Sequence, residues 1–365
     1  MAQSKSFYLP ELDGLRFFAF LSVFACHAWD TTHGRNAFAD IGTFGVDLFF
    51  TLSAFLITEL LVQEKERLGK IDVLAFYARR ILRIWPLYFV FLAGAFVVVR
   101  FSWLYLATCA LFIGNFGFYW WGPPSLILSS LWSISVEEQF YIAWPLILRR
   151  LTERGMVIAA LVMWAASVTV RWLMIREGAP TFLILFGTFA RLDPMACGIL
   201  LSVFLRRWGV TPTKTVRFSL VVAGAWLWLI AGICANAGAM VPVYAIVALG
   251  CAAFLIATIG AGGLVRSKGI VYLGRISYGL YVYHGAVLVA TSRLVYQGPV
   301  ALCLTITIAA ASYRWLETPF LRFKARFQRI RSGSLAEHEG GGLFERRAHG
   351  VEVETERQYY SKPAD

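Results

Sequence analysis

The chain consists largely of apolar runs separated by short polar stretches that carry basic residues. Ten of these runs are long enough, or nearly long enough, to cross the roughly 30 Å hydrocarbon core of a bilayer as helices. They lie near residues 12–29, 41–63, 84–99, 137–148, 156–175, 182–205, 218–236, 240–262, 272–291 and 298–316. The pattern predicts an all-α fold, a polytopic membrane bundle of about ten transmembrane helices.

One apolar stretch, Trp103 to Phe118, does not fit this series because it is short and would reverse the side of every later basic loop. Partial insertions are tolerated in membrane proteins where they line an internal cavity. We therefore predict a short re-entrant or interfacial segment near 103–118, not an eleventh span.

The basic residues alternate with the predicted spans. Twenty-one Lys and Arg residues fall on one side, against four on the other. Because such residues concentrate in short cytoplasmic loops, this bias predicts cytoplasmic N- and C-termini. We expect a membrane-embedded domain over 8–322 and a tail over 323–365 that is first basic and then disordered. Pro10, Glu11, Asp13 and Arg16 interrupt the region before the first apolar run, and no cleavage site with small residues follows that run. We therefore expect a retained first span and no signal peptide.

The composition excludes several classes of protein. With 58% hydrophobic and 16% aromatic residues, a soluble domain would not be able to cover its surface with polar groups. The net charge of +12 is spread between apolar runs instead of forming one stripe, which argues against nucleic-acid binding. The six cysteines lack metal-ligand spacing, so we predict no metal site and no disulfide framework.

His27 and Arg16 are two ionisable residues within or beside the first apolar run, eleven positions apart. On a continuous helix eleven residues return to within about 20° of the same direction, roughly 16 Å further along the axis. Ionisable groups inside a span are costly when they face lipid and usually mark a functional site. The spacing therefore predicts one functional helix face.

Arg79, Arg80 and Arg83 form a tight basic group at the start of the third run, followed at once by Trp85 and Pro86. If the segment is helical, positions 80 and 83 share a face. Such a group is typical of a cytoplasmic anchor, yet the planar guanidinium also suits phosphate. The sequence leaves both interpretations open.

Two adjacent carboxylates, Glu137 and Glu138, precede a short apolar run. Acidic residues at a helix N-terminus are favoured by its dipole, and Ser133 or Ser135 would cap that helix. Two carboxylates exceed what a cap requires. If the span begins near Ser135, Glu137 lies at the outer membrane edge, at the level expected for His27.

Other buried ionisable residues are expected to be structural. Arg191 and Asp193 are interpreted as an ion pair or a cavity lining, and Asp47 needs a donor to remain charged. His284 is expected to be a hydrogen-bonded interior histidine, with direct function as the less favoured alternative. Glu317 is expected to end a span and pair with a nearby arginine.

Six motifs in order resemble the acyltransferase-3 family of integral-membrane O-acyltransferases, over roughly residues 8–322. They are Leu12 to Arg16 with His27, Gly45 to Ile57, Arg79 to Pro86, Leu131 to Tyr141, Leu273 through Tyr278 to His284, and Glu317 to Phe320. Each motif is weak alone, but their combined order is specific. Ala54 stands where the family commonly has glycine.

The resemblance implies ten spans, transfer that depends on His27, and an active region that includes Glu137. It also implies that Arg16, Arg80 and Arg83, in a cluster with Arg79, bind acyl-CoA, the co-substrate; no permanently bound cofactor is expected. The chain after residue 322 is too short for the hydrolase-like domain that some members carry, so we expect the membrane domain to handle the acceptor.

These features predict a membrane-bound O-acyltransferase of the bacterial cytoplasmic membrane. Acyl transfer to a hydroxyl requires a base, and histidine, with an unperturbed pKa near 6.5, suits that role. We expect transfer of acetyl from acyl-CoA to a carbohydrate, such as a cell-surface polysaccharide or lipid-linked glycan, directly or through an acyl-histidine. The alternatives are a transferase acting on a small hydrophobic metabolite and a non-enzymatic glycan or solute transporter.

Overall fold

The computed structural model describes residues 8–33, 41–122, 125–128, 130–324 and 327, and these ranges contain helices but no strand. The α-helices are α1 Pro10–His33, α2 Gly45–Leu68, α3 Val73–Val99, α4 Trp103–Ala110, α5 Gly114–Trp121, α6 Leu131–Leu148, α7 Glu153–Arg176, α8 Thr181–Phe186, α9 Asp193–Trp208, α10 Lys214–Asn236, α11 Met240–Thr258, α12 Lys268–Arg275, α13 Ser277–Ala290, α14 Gln297–Ser312 and α15 Thr318–Lys324. Every predicted apolar run overlaps at least one of them, so the all-α prediction is confirmed.

Six helical segments of the described chain are long and apolar enough to cross a membrane. They are α2, α3, α7, α10, α11 and the continuous helix that joins α14 to α15. The multi-pass membrane character is thus supported. The count of ten stays a prediction, because α6, α9 and α13 have only 18, 16 and 14 residues and α1 is rich in polar residues.

The stretch from Trp103 to Phe118 folds into two eight-residue helices, α4 and α5. Each is about 12 Å long, too short to cross a bilayer. The chain reverses between them at Phe112, whose φ is 56°. As predicted, the segment does not form an eleventh spanning helix. Its re-entrant or interfacial placement stays a prediction.

Two glycines allow the helices around α1 and α2 to approach closely. The backbone carbonyl of Asp13 occupies the space where a Cβ at Gly274 would lie, which brings α12 against α1. A Cβ at Gly198 would lie 2.9 Å from the Cβ of Ala54, where α9 crosses α2. Because α9 supplies glycine at this crossing, the facing position 54 on α2 has room for alanine.

The helix from Gln297 to Lys324 contains one π-helical turn, Tyr313–Glu317, between α14 and α15. Pro319 lies two residues beyond it, and its missing N–H leaves a carbonyl of the preceding turn without its helical donor. The backbone N–H and the hydroxyl of Thr318 both donate to the carbonyl of Tyr313, the hydroxyl at 2.6 Å. The wider turn sets which face α15 presents to α3.

Several predictions fall on positions outside the described ranges. These include residues 34–40, with Arg35, one of the four basic residues on the side opposite the basic loops, and most of the predicted tail over 323–365. Of that tail, the structure describes Phe323, Lys324 and Phe327.

Candidate active site

His27 lies beside a second histidine, His284 on α13. The Nδ1 of His27 is 2.9 Å from the Nε2 of His284, and the two rings are nearly coplanar, 4° apart. The Nδ1 of His284 lies 2.5 Å from the backbone carbonyl of Tyr281. Because a carbonyl only accepts, Nδ1 of His284 carries the proton in the neutral ring and Nε2 is its acceptor.

This hydrogen-bond chain assigns the tautomer of the partner ring as well. With Nε2 of His284 as acceptor, Nδ1 of His27 is the donor, which makes Nε2 the basic atom of neutral His27. A backbone carbonyl, His284 and His27 therefore form a relay that orients one imidazole lone pair. His284 is thus a hydrogen-bonded interior histidine, as expected, and one of its partners is His27.

The surroundings of His284 fix its ring. The residue is fully buried, and Phe20 packs edge-on against it with centroids 6.0 Å apart. The hydroxyl of Tyr281 lies 2.7 Å from the hydroxyl of Ser133, which holds α13 against α6. The carbonyl of Leu126 occupies the place of a Cβ at Gly285, so the chain near residue 126 packs directly beside the pair.

Arg16 and His27 lie on one continuous helix, α1, as the spacing predicted. They are therefore separated by roughly 16 Å along its axis. The guanidinium of Arg16 donates to Asp13 at 2.5 Å and remains about one-third exposed. The partly buried His27 and this arginine thus mark two levels of the bundle.

Three arginines of α3 lie near Arg16, and we call the four residues the arginine cluster: Arg16, Arg79, Arg80 and Arg83. Arg79 pairs with Glu64 at 3.0 Å and donates to the carbonyl of Phe327 at 2.8 Å. Arg83 donates to the carbonyl of Arg275 at 3.1 Å. These contacts therefore join α3 to α2, to α12 and to the chain just beyond α15.

Arg80 lies between two aromatic rings in this cluster. Its guanidinium carbon is 5.4 Å from the ring centre of Phe76 and 5.6 Å from that of Tyr141. Its buried Nε has no hydrogen-bond partner within the described structure. A buried cationic donor without an acceptor is costly, and an anionic ligand would supply one.

Glu137 lies deeper in its helix than the sequence suggested. Because α6 begins at Leu131 and not near Ser135, Glu137 is about 9 Å along the helix, and the interpretation of it as a first-turn dipole partner is wrong. Its carboxylate accepts hydrogen bonds from Ser53 and Tyr141, both at 2.9 Å. Arg16 and Arg80 act on it electrostatically. Glu137 thus belongs to the surroundings of the arginine cluster.

Two further buried carboxylates flank this region. Trp85 donates to Oε2 of Glu138 at 3.2 Å, while Oε1 has no hydrogen-bond partner among the described residues. Both oxygens of buried Glu317 also lack one there, although Arg83 acts on it electrostatically. The ion pair expected for Glu317 is therefore not formed.

Arg191 and Asp193 do not pair with each other, contrary to the sequence interpretation. Arg191 donates to Asp47 at 2.8 Å, and Asp193 accepts from Arg171 at 2.5 and 2.9 Å. Arg191 also lies over the ring of Tyr244, 3.9 Å from its centre. The 3₁₀ turn that ends at Arg191 points the two residues in different directions, and Arg171 of α7, which the sequence argument overlooked, completes the second pair.

The described residues contain no group of three or more His, Cys, Asp and Glu side chains that would hold a metal ion. The histidine pair supplies two nitrogen ligands but no third protein ligand, fewer than catalytic zinc sites provide. The arrangement suits proton transfer by imidazole, and it suits binding of an anion at the arginine cluster.

These features define a helical membrane protein with an oriented imidazole pair at one level of α1 and a basic cluster at another. The chain belongs to the acyltransferase-3 family: the family profile, described as an acyltransferase domain, matches residues 9–314. The resemblance seen in the motifs is thereby confirmed.

Curated relatives are similar over most of this chain. The O-acetyltransferase OatA of Staphylococcus aureus strain NCTC 8325 is 28% identical over 362 residues, covering 87% of this chain and 58% of that protein. OatA of strain COL matches with the same identity and coverage. The chain thus spans less than two-thirds of the length of these relatives. No solved structure matches the chain.

Proposed function

We propose that this protein transfers an acetyl group from acyl-CoA, across the membrane domain, to a hydroxyl of a carbohydrate such as a cell-surface polysaccharide or lipid-linked glycan. Family membership supports acyl transfer, and the names of the relatives support acetyl as the group and oxygen as the acceptor atom. The observation that carries the proposal is the placement of Arg16, from the arginine cluster, and His27, from the histidine pair, on one helix, roughly 16 Å apart along its axis.

The arginine cluster is the proposed binding site for the nucleotide part of acyl-CoA. Arg80 and Arg83 would contact the phosphates, with Arg79 beside them and Arg16 along the path of the pantetheine arm. Guanidinium groups match phosphate oxygens in charge and geometry. The acceptor-free Nε of Arg80 supports this assignment, and an extended arm would bridge the distance to His27.

His27 is the proposed catalytic residue, and His284 is a positioning residue. Nε2 of His27 removes the proton of the acceptor hydroxyl while the hydroxyl oxygen attacks the thioester carbonyl. The tetrahedral intermediate collapses, the C–S bond breaks, and the coenzyme A thiolate recovers the proton from His27. His284 accepts from Nδ1 of His27 throughout, which keeps Nε2 aimed at the substrate.

A covalent version uses the same nitrogen as nucleophile. Nε2 of His27 would attack the thioester, release coenzyme A, and form an acyl-imidazole that the acceptor hydroxyl then cleaves. The two versions differ in whether labelled acetyl remains on the protein when acceptor is withheld.

The proposed orientation places both termini in the cytoplasm of a bacterium, with the protein in its cytoplasmic membrane. The excess of Lys and Arg on one side supports this orientation. The donor would then enter from the cytoplasm at the arginine cluster, and the acceptor would approach His27 from the opposite side.

A transporter is the non-enzymatic alternative, and it makes a different prediction. Buried charges would line its permeation path, and acetyl-CoA would not be consumed. A transferase acting on a small hydrophobic metabolite keeps the chemistry and changes only the acceptor.

The test compares acetylation of surface polysaccharide in cells with and without the gene, by NMR of the acetyl signals. Purified protein in nanodiscs is then assayed for release of coenzyme A from acetyl-CoA, with isolated polysaccharide as acceptor. His27→Ala should abolish transfer. His33→Ala is the matched control, since His33 lies on the same helix but is exposed and stacked on Trp29.

Substantial activity in His27→Ala would contradict both versions of the mechanism. No consumption of acetyl-CoA by the wild-type protein would favour the transporter. Consumption with unchanged polysaccharide, but with an acetylated small metabolite, would keep the reaction and replace the acceptor.

A further inference from the structure

Lys324, the last residue of α15, lies next to the arginine cluster although it is more than 200 residues away in sequence. The helix α15 packs against α3. Directly beyond it, the carbonyl of Phe327 accepts a hydrogen bond from Arg79. This contact fixes the chain on both sides of Lys324 against the helix that carries three of the arginines.

The charged groups that act most strongly on Lys324 are cations. Its ammonium group interacts with Arg80, Arg83, Arg79 and Arg16, and each of these interactions is repulsive. The side chain is only partly exposed, so water screens this repulsion incompletely. Within the described structure, neither Lys324 nor Arg80 nor Arg83 forms an ion pair with a carboxylate.

The carboxylates nearby do not resolve this repulsion. Asp13 and Glu64 are each paired with one arginine, Arg16 and Arg79. The carboxylate of Glu137 is hydrogen-bonded to two hydroxyl groups. Glu138 acts electrostatically on Arg80 and Glu317 on Arg83, but neither carboxylate forms an ion pair with these arginines within the described structure. A third helix therefore brings a fifth cation to the cluster, where a polyanion would be stabilised by all five.

We propose that Lys324 is a phosphate-binding residue of the donor site, contacting the nucleotide phosphates of acyl-CoA together with the arginine cluster. This inference rests on the proposed function, and it extends the donor site from α1 and α3 to α15. An ammonium group binds phosphate as a compact charge, which complements the directional hydrogen bonds of guanidinium groups.

The test is binding of coenzyme A to the full-length protein in nanodiscs of zwitterionic phosphatidylcholine, by titration calorimetry. Lys324→Met should raise the Kd for coenzyme A about tenfold, the usual size of one lost charge-assisted contact. Lys324→Arg should stay within about threefold of wild type. Pantetheine lacks all three phosphates, so its Kd should be the same for wild type and Lys324→Met.

Arg322→Met is the matched control. Arg322 lies on the same helix, two residues earlier and therefore on the opposite side, and is exposed. It should bind coenzyme A like wild type, and all variants should show wild-type thermal unfolding in the nanodisc.

Three results would overturn the inference: an unchanged Kd for coenzyme A in Lys324→Met, equal weakening of pantetheine binding, or an effect that requires added anionic phosphatidylglycerol. The last would assign Lys324 to a lipid headgroup. Failure of the wild-type protein to bind coenzyme A at all would instead contradict the proposed function and remove this inference with it.

Discussion

The ion pairs around α9 are buried and the arginine cluster around α3 is half-buried, and the two regions differ in how their charges are matched. Around α9, Arg171 pairs with Asp193 and Arg191 pairs with Asp47, and Ser167 donates to Asp193 at 2.6 Å. In the cluster, Lys324 faces four arginines, and Arg80 lies near Arg79, Arg83 and Glu138 without forming an ion pair in the described structure. Nε of Arg80 has no acceptor among the described residues.

This contrast teaches which buried charges belong to the fold. A charge in a membrane protein is tolerated when a partner neutralises it, and the two pairs around α9 meet that condition within the chain. The cluster meets it only in part. We therefore assign the first region to stability and the second to ligand binding, and the following predictions test that division.

The largest effect is expected when one pair around α9 is broken. Asp193→Ala leaves the fully buried guanidinium of Arg171 without its carboxylate, which should cost about 3–5 kcal/mol of unfolding free energy. Thermal unfolding in detergent measures the loss. The control is Glu177→Ala, which removes an exposed ion pair with Arg176 at the end of α7, the helix that carries Arg171. This variant should have the unfolding free energy of the wild type. Equal stability of both variants would contradict the structural assignment.

The next effect concerns His284. His284→Leu removes the nitrogen that accepts from Nδ1 of His27, so kcat for acetyl transfer should fall about 10²-fold, a typical loss for a misoriented base. In His284→Gln the amide oxygen replaces Nε2 as acceptor, and most of the activity should return. The KM for acetyl-CoA should not change in either variant. Similar kcat values for the two variants would show that His284 only fills space.

Glu137→Gln tests whether that residue serves the donor site or the proton transfer. Because Glu137 lies between Ser53, Tyr141 and the arginines, we expect it to hold the arginines in place. The KM for acetyl-CoA should then rise about tenfold, with kcat within about threefold of wild type, an effect of about 1.4 kcal/mol. A large fall in kcat at constant KM would instead make Glu137 part of the chemistry.

The smallest effect is a difference in salt dependence between the two regions. The Debye length falls from about 10 Å at 0.1 M salt to about 3 Å at 1 M. The Kd for coenzyme A at the partly exposed cluster should therefore rise several-fold between 0.1 M and 1 M NaCl. Thermal unfolding, which depends on the fully buried pairs, should shift little over the same range, and a constant Kd would argue against an electrostatic donor site.

Much of the fold was predictable because it is encoded locally. Apolar length and the positions of Gly and Pro identify the helices, and the spacing of Arg16 and His27 on α1 follows from the helix repeat alone. The short helices α4 and α5 also agree with the prediction that residues 103–118 do not form a span. The number of spans and their orientation depend on the surrounding bilayer and stay predictions.

The partners of the site residues were harder to predict because contacts between distant helices leave no local signal. His27 and His284 are 257 residues apart, and neither sequence context names the other. Arg191 and Asp193 are near in sequence, which suggested a pair, but the turn between them directs each to another helix. The contacts of Arg171 and Lys324 also leave no local signal, because a single basic residue near the end of a span is typical of any membrane protein.

Glu137 shows a third kind of error, in the position of a boundary. The start of α6 was expected near Ser135, four residues too late, and the carboxylate of Glu137 was therefore interpreted as a partner of the helix dipole. Hydroxyl groups of Ser53 and Tyr141 surround it instead, and one of them comes from another helix. Helix ends are weakly encoded when, as at Ser130, no side chain caps the first turn.

The π turn Tyr313–Glu317 has a consequence for how this chain tolerates insertions and deletions. A π turn holds one residue more than the α-helical turn it replaces, so a one-residue deletion there would restore a regular helix and leave the residues downstream on the same faces. A one-residue deletion in the regular part of α14 would instead rotate everything downstream by about 100°, and Lys324 would leave α3 although the apolar length of the helix would hardly change. A single-residue gap between this chain and its relatives therefore belongs within the π turn in an alignment, because a gap placed elsewhere would pair the wrong side chains between it and the turn.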